Sequence, residues 1–211
     1  MHFVTKCKRP GPPRQRSRTG RSRRRATGKL DESHTRNTRN TRNTRMEYLS
    51  EALRADKEVM LEVVKKNWYG LGYASDALKA DRDFVLEAVK SHGDALQYAP
   101  DELRADKQVV LAALRQEGGA LSFALYALRA DKEVVLEAVK NNGYALDSAS
   151  EAMRGDREVV LAAVKKNGMA LQYASDELQA DREVVLAAVN ENGWALRFVS
   201  DELWSVRGVV R

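Results

Sequence analysis

Leu53, Leu78, Leu103, Leu128, Met153, Leu178 and Leu203 stand 25 positions apart, and the residues between them repeat almost verbatim. A unit this short cannot bury an apolar face by itself, so adjacent copies must stack to make a core. No strand-type alternation of apolar and polar residues occurs anywhere in the chain. The repeat therefore restricts the fold to one class: an all-α solenoid of about six 25-residue helical repeats.

Each copy carries an Asp at one position: Asp56, Asp81, Asp106, Asp131, Asp156 and Asp181. A Lys or Arg follows it, usually then a Glu, then a run of the Val-Val-Leu type. Asp is a strong helix N-cap because its carboxylate accepts bonds from the first orphan N–H groups. A Glu in the first turn adds favourable charge. Gly93, Gly118, Gly143, Gly168 and Gly193 stand 12 residues beyond the Asp, where a helix-ending left-handed turn is expected. The spacing thus predicts a helix from Arg157 to about Asn167 in the central copy. At about 100° per residue, Val159, Val160, Leu161, Ala163 and Val164 span an arc of roughly 200°. That is wider than a helix resting on one core requires. It predicts a helix flanked on both sides by neighbouring copies, with Leu161 in the core and Lys166 outside.

A second apolar stretch, Ala170-Leu171-x-Tyr173-Ala174, is too short to be stable alone, and Ser175 then reads as the cap of a third start. Pro100 at the Ser position marks a break there, since proline suits a helix start and disfavours helix before it.

Residues 1–45 have another composition. They hold 15 Lys and Arg against Asp31 and Glu32, a surplus of 13 positive charges. The whole chain is at +6, which leaves −7 for residues 46–211, so the basic character belongs to the tail. Rich in Arg, Ser, Thr, Gly and Pro, this segment is expected to be disordered. Three uses fit it: an organelle transit peptide, nuclear import or phosphate contacts through Arg21-Ser22-Arg23-Arg24-Arg25, or a plain solvated tail. The tandem Thr35 to Arg45, TRNTRNTRNTR, is low in complexity, and Met46 directly after it reads as an alternative start. At the other end Val206 replaces the capping Asp, which points to a truncated last copy.

Chemistry-bearing residues are scarce. Cys7 is the only cysteine, so neither a disulfide framework nor a Cys/His metal cluster is expected, and an intracellular location follows weakly from that. His92 lies at a helix end among polar equivalents and reads as a surface residue. No phosphate-loop, nucleophile-elbow or HExxH spacing is present. No run of ~18 apolar residues suggests a membrane span. The expectation is a non-enzyme without cofactors.

Interaction remains, and differences between copies locate it. The residue after the Gly varies (Tyr69, Asp94, Gly119, Tyr144, Met169, Trp194), as does the one three further on (Gly72, Gln97, Ser122, Asp147, Gln172, Arg197). Leu71, Leu96, Leu121, Leu146, Leu171 and Leu196 never vary. Variable positions at fixed spacing define a strip, and Tyr, Met and Trp suit a binding surface. Leu125-Tyr126, beside Phe123, depart from the usual Ser-Asp. The candidate partner-binding residues are therefore Tyr69, Phe123, Leu125, Tyr126, Tyr144, Met169 and Trp194. The expected partner is an unidentified protein, with nucleic acid as the alternative, through the tail or the repeats.

The pattern in Ala170 to Gly193, ALQYASDELQADREVVLAAVNENG, resembles the repeats of domain of unknown function 4116, over nearly all of residues 46–211. That family implies a helical repeat and assigns no activity or ligand, so no functional residues transfer. Trp68 in place of the turn Gly, Leu125-Tyr126, and Val206 depart from its pattern.

Overall fold

The computed structural model describes residues 46–200. The expectations about a disordered tail, a start at Met46 and a truncated end after Leu203 lie outside the described residues. Six copies of one unit follow each other. Each opens on a short helix: α1 (Glu51–Ala55), α3 (Asp76–Ala80), α5 (Asp101–Arg104), α7 (Tyr126–Arg129), α9 (Glu151–Arg154) and α11 (Asp176–Gln179). A ten-residue helix comes next: α2 (Lys57–Lys66), α4 (Arg82–Ser91), α6 (Lys107–Gln116), α8 (Lys132–Asn141), α10 (Arg157–Lys166) and α12 (Arg182–Glu191). A six-residue 3-10 helix closes the unit, as in Gly168–Tyr173. The chain is an all-α solenoid, without strands among the described residues.

The long helices begin where the Asp places them. Asp131 Oδ1 accepts the N–H groups of Glu133 at 3.0 Å and Val134 at 3.2 Å, and every other copy repeats the pair. Ser50, Ser75 and Ser150 cap their short helices in the same manner, through the N–H three residues on. The two layers stack copy on copy: α10 packs against α8 and α12, and each 3-10 helix against the next. Backbone bonds cross the seams too. The N–H at the start of each short helix donates to a carbonyl at the end of the previous one, as Ser150 does to Arg129 at 2.9 Å and Ser175 to Arg154 at 3.0 Å. Pro100 has no N–H, so the carbonyl of Lys79 receives no such bond.

Two expectations need correction. No glycine among the described residues has a positive φ. The glycines at the helix ends are there for closeness: a Cβ on Gly143 would stand 2.5 Å from the Ala163 carbonyl and 3.0 Å from Asn167 Cβ of the next copy. The residue before them, in extended conformation, carries the chain out of the helix instead. Leu161, expected in the core, is only half-buried, and so are Leu61, Leu86, Leu111, Leu136 and Leu186. The inward face is Val159, Val160, Ala163 and Val164, all fully buried. The arc is narrower than 200° because its Leu edge lies at the outer margin of the layer.

The unit that begins with α1 shows how the glycine can move. Trp68 occupies the usual Gly position and stacks on Tyr98 with ring centroids 5.9 Å apart. Glycine appears two and four residues later. A Cβ on Gly70 would meet Val63 Cγ1 at 2.7 Å, and one on Gly72 would meet the Tyr98 ring at 2.9 Å.

Candidate functional site

The 3-10 helix sets which residues can vary. With about three residues per turn, side chains at i and i+3 eclipse. Its first, third and fourth residues, such as Gly143, Ala145 and Leu146, are buried. The second and fifth share the outward edge. Three contacts show the sharing: Gln97 Nε2 donates to the Asp94 carbonyl at 3.3 Å, Ser122 Oγ to Gly119 at 3.0 Å, and Gln172 Nε2 to Met169 at 3.1 Å. Successive 3-10 helices pack on one another, so these edges join into one strip.

Tyr69, Tyr144, Met169 and Trp194 all take the second position. Asn142, Asn167 and Asn192 hold the turn before it, each Oδ1 accepting the N–H of Tyr144, Met169 or Trp194 at 3.0–3.1 Å. The exposures differ: Trp194 is 78% and Tyr144 42% exposed, while Tyr69 and Met169 are half-buried. Tyr144 leans edge-on against Tyr173 of the next copy at 6.4 Å, and Tyr69 against Trp68 at 5.9 Å. Within the strip, burial and then the nearby Glu117 push the Asp94 carboxyl above its ordinary range.

Phe123, Leu125 and Tyr126 lie elsewhere, where one 3-10 helix ends and α7 begins. Phe123 is half-buried against the core. Leu125 is half-buried and donates its N–H to the Arg104 carbonyl at 3.1 Å, so it belongs to a seam. Tyr126 is exposed, with the Arg129 guanidinium 5.8 Å from its ring centroid. Ser148 is small at the position where Tyr98, Phe123, Tyr173 and Phe198 carry rings.

A row of ion pairs runs along the long-helix layer and was not anticipated. The basic residue after each Asp reaches the Asp of the next copy: Lys57 to Asp81 at 2.7 Å, Arg82 to Asp106 at 2.7 Å and Lys107 to Asp131 at 2.8 Å. Lys132 to Asp156 at 2.8 Å and Arg157 to Asp181 at 3.2 Å continue it. Each Asp thus caps its own helix with Oδ1 and binds the previous copy with Oδ2. The Lys57 ammonium holds the Asp81 carboxyl below its usual range, as Arg82 does for Asp106 and Lys107 for Asp131. At Asp181 the Val184 N–H is the main cause. Burial opposes the shift at Asp156 and is outweighed by Lys132 and the Val159 N–H. The sequence signal was the unbroken Asp-Lys/Arg dipeptide, which capping alone does not explain. Five of the array's cations are committed to these pairs, while Lys65, Lys90, Arg115, Lys140 and Lys165 stand exposed in a second row at the far ends of the long helices.

Among the described residues, no three His, Cys, Asp or Glu side chains gather as a metal site, and no helix is long and apolar enough to cross a membrane. Stacked helical units with one variable edge define a helical-repeat protein. Residues 45–79, 81–129, 117–154 and 156–204 match the family described as domain of unknown function DUF4116, and the chain belongs to that family. It matches no curated protein and no solved structure.

Proposed function

We propose that the array is a non-catalytic protein-interaction module and that the 3-10 strip is its contact surface. The supporting observation is the contrast within the 3-10 helices: the inward Leu is the same in all six copies and the inward Ala in five, while the two outward positions differ between successive copies. Core packing explains constancy and leaves the outward variation free to serve recognition. Tyr144 and Trp194 supply exposed aromatic area on this strip, the kind of anchor that dominates protein interfaces. A half-buried Met169 between them offers an adaptable apolar contact.

The test is capture from native lysate with the full chain, under moderate salt and nuclease, beside a Tyr144→Ala/Trp194→Ala variant. A protein retained by the parent and lost by the variant, at unchanged melting temperature, supports the strip. Retention by both moves the contact elsewhere. The second reading, nucleic-acid binding, is favoured by one observation, the 13 surplus positive charges of residues 1–45. It predicts capture that nuclease abolishes and that residues 46–211 alone cannot reproduce.

A further inference from the structure

The last residue of the 3-10 helix carries a ring in five of the six copies: Tyr73, Tyr98, Phe123, Tyr173 and Phe198. Two of these rings meet a ring of the copy before. Tyr98 stacks on Trp68 at 5.9 Å, and Tyr173 lies edge-on to Tyr144 at 6.4 Å. Ser148 breaks the row. The copy before it is bare as well, since Gly118 and Gly119 stand where those contacts have Trp68 and Tyr144. Within 4 Å, a Cβ on Gly119 would meet only Glu117 Oε1 and Asn142 Nδ2, so no apolar atom has come in to fill the place.

A charge is missing from the same copy. The fourth residue of a short helix is basic in five copies and follows an acid three residues earlier in four of them. Lys79 pairs with Asp76 at 3.6 Å in this way, and Arg104 with Asp101. Arg129 has Tyr126 instead, with its guanidinium 5.8 Å from the ring centroid. It forms no ion pair among the described residues, and its buried Nε has no hydrogen-bond partner.

Both deficits fall on one place. In the next copy, a polar cavity of about 290 Å³ has Glu151, Arg154, Tyr173, Ser175, Asp176 and Glu177 in its lining. The equivalent residues 25 positions earlier are Tyr126, Arg129, Ser148, Ser150, Glu151 and Ala152. Tyr173 has become Ser148, two of three carboxylates are lost, and the cation remains.

We propose that this place binds a partner peptide in which an aromatic residue stands next to Asp or Glu. The peptide's ring enters the gap in the row at Ser148, and its carboxylate takes the part at Arg129 that Asp101 has at Arg104. Tyr126, 66% exposed, adds aromatic area beside it. A nucleic-acid strand is the poorer occupant, because Glu151 stays in the lining and Asp101 and Asp176 continue the acidic row on either side. The place borders the strip at Gly119 and uses neither Tyr144 nor Trp194, so the variant that tests the strip leaves it unchanged.

The experiment is a titration of the full chain with a capped Gly-Glu-Phe-Gly peptide, followed by NMR of the backbone amides. The expected result is saturable shifts centred on Gly119, Arg129 and Ser148. Replacing Glu of the peptide by Gln weakens binding by about fivefold, as loss of an exposed pair does. Replacing its Phe by Ala weakens binding by more than about tenfold. Ser148→Tyr and Tyr126→Asp each restore a residue that other copies carry, so both keep the parent's melting temperature. Ser148→Tyr fills the gap and abolishes binding, and Tyr126→Asp occupies Arg129 and weakens it by about fivefold. Absence of saturable shifts with Gly-Glu-Phe-Gly overturns the proposal. Binding by Ser148→Tyr as tight as the parent's overturns it too, and assigns the peptide to another surface.

Discussion

Gly143 and Gly155 share a letter and stand in opposite situations. Gly143 has a carbonyl oxygen of the next copy 2.5 Å from the place of a Cβ, and Gly155 has nothing closer than 3.7 Å. Gly155 also has an ordinary right-handed conformation, φ −94° and ψ −4°, at a position where other copies carry Ala. Gly143→Ala therefore destabilises the array by about 1–3 kcal/mol, the usual consequence of overpacking. Gly155→Ala stabilises it by about 0.4–1 kcal/mol by restricting the unfolded chain. Urea unfolding of both variants checks the pair of signs. The sequence cannot separate these cases, because a glycine kept for left-handed backbone and one kept for a close approach look alike. The core face was legible only in part for a related reason. The run Val159-Val160-Leu161 is uniformly apolar, yet only the valines point inward. Val160→Asp leaves an unpaired carboxylate in the core, which costs several kcal/mol. Leu161→Asp at the outer margin has a markedly smaller effect, and Lys166→Asp leaves the circular dichroism unchanged.

Elements are tied together by a carboxylate that serves two helices at once. Asp131→Ala removes a cap and a pair, a loss of about 0.5–2 kcal/mol for the cap and at most about 1 kcal/mol for the exposed pair. Asp131→Asn keeps a capping oxygen and loses only the charge, so its effect is the smaller one by thermal melting. The same carboxylates set the response to acid. Their folded-state pKa values lie below those of the unfolded chain, near about 3.9 for Asp. Their stabilisation is therefore complete above that value and is lost as the pH falls through the folded-state values. Melting temperature should stay level near neutrality and drop below about pH 4, less steeply in a variant with Asn at several of these positions. Helix starts were readable because a cap is a local interaction between residues two and three apart. The ion pairs span 24 residues, and only the stacking of copies brings their ends together. The strip lies between these extremes. Its period of three was visible as variation, whereas the 3-10 geometry that aligns it depends on the packed layer beneath.

At the scale of the described array, the main contacts of each copy are with the copies before and after it. Stability is then a sum of unit and seam terms rather than the property of one closed core. Excising residues 107–131 joins Asp106 to Lys132 and preserves both the cap and the order of the pairs. The shortened protein should fold, keep the parent's dichroism per residue and show a smaller denaturant slope in proportion to the surface lost. Removing one residue fewer breaks the register and should unfold the copies on both sides of the join.

That equivalence of copies has a genetic side. Because any Asp-Lys or Asp-Arg junction can succeed any other, misaligned recombination between two copies of the coding segment yields products longer or shorter by whole units. Every such product keeps the Asp caps and the order of the ion pairs. The number of copies can therefore drift across generations without an unfolded ancestor, and each event reshuffles which aromatic stands beside which on the strip.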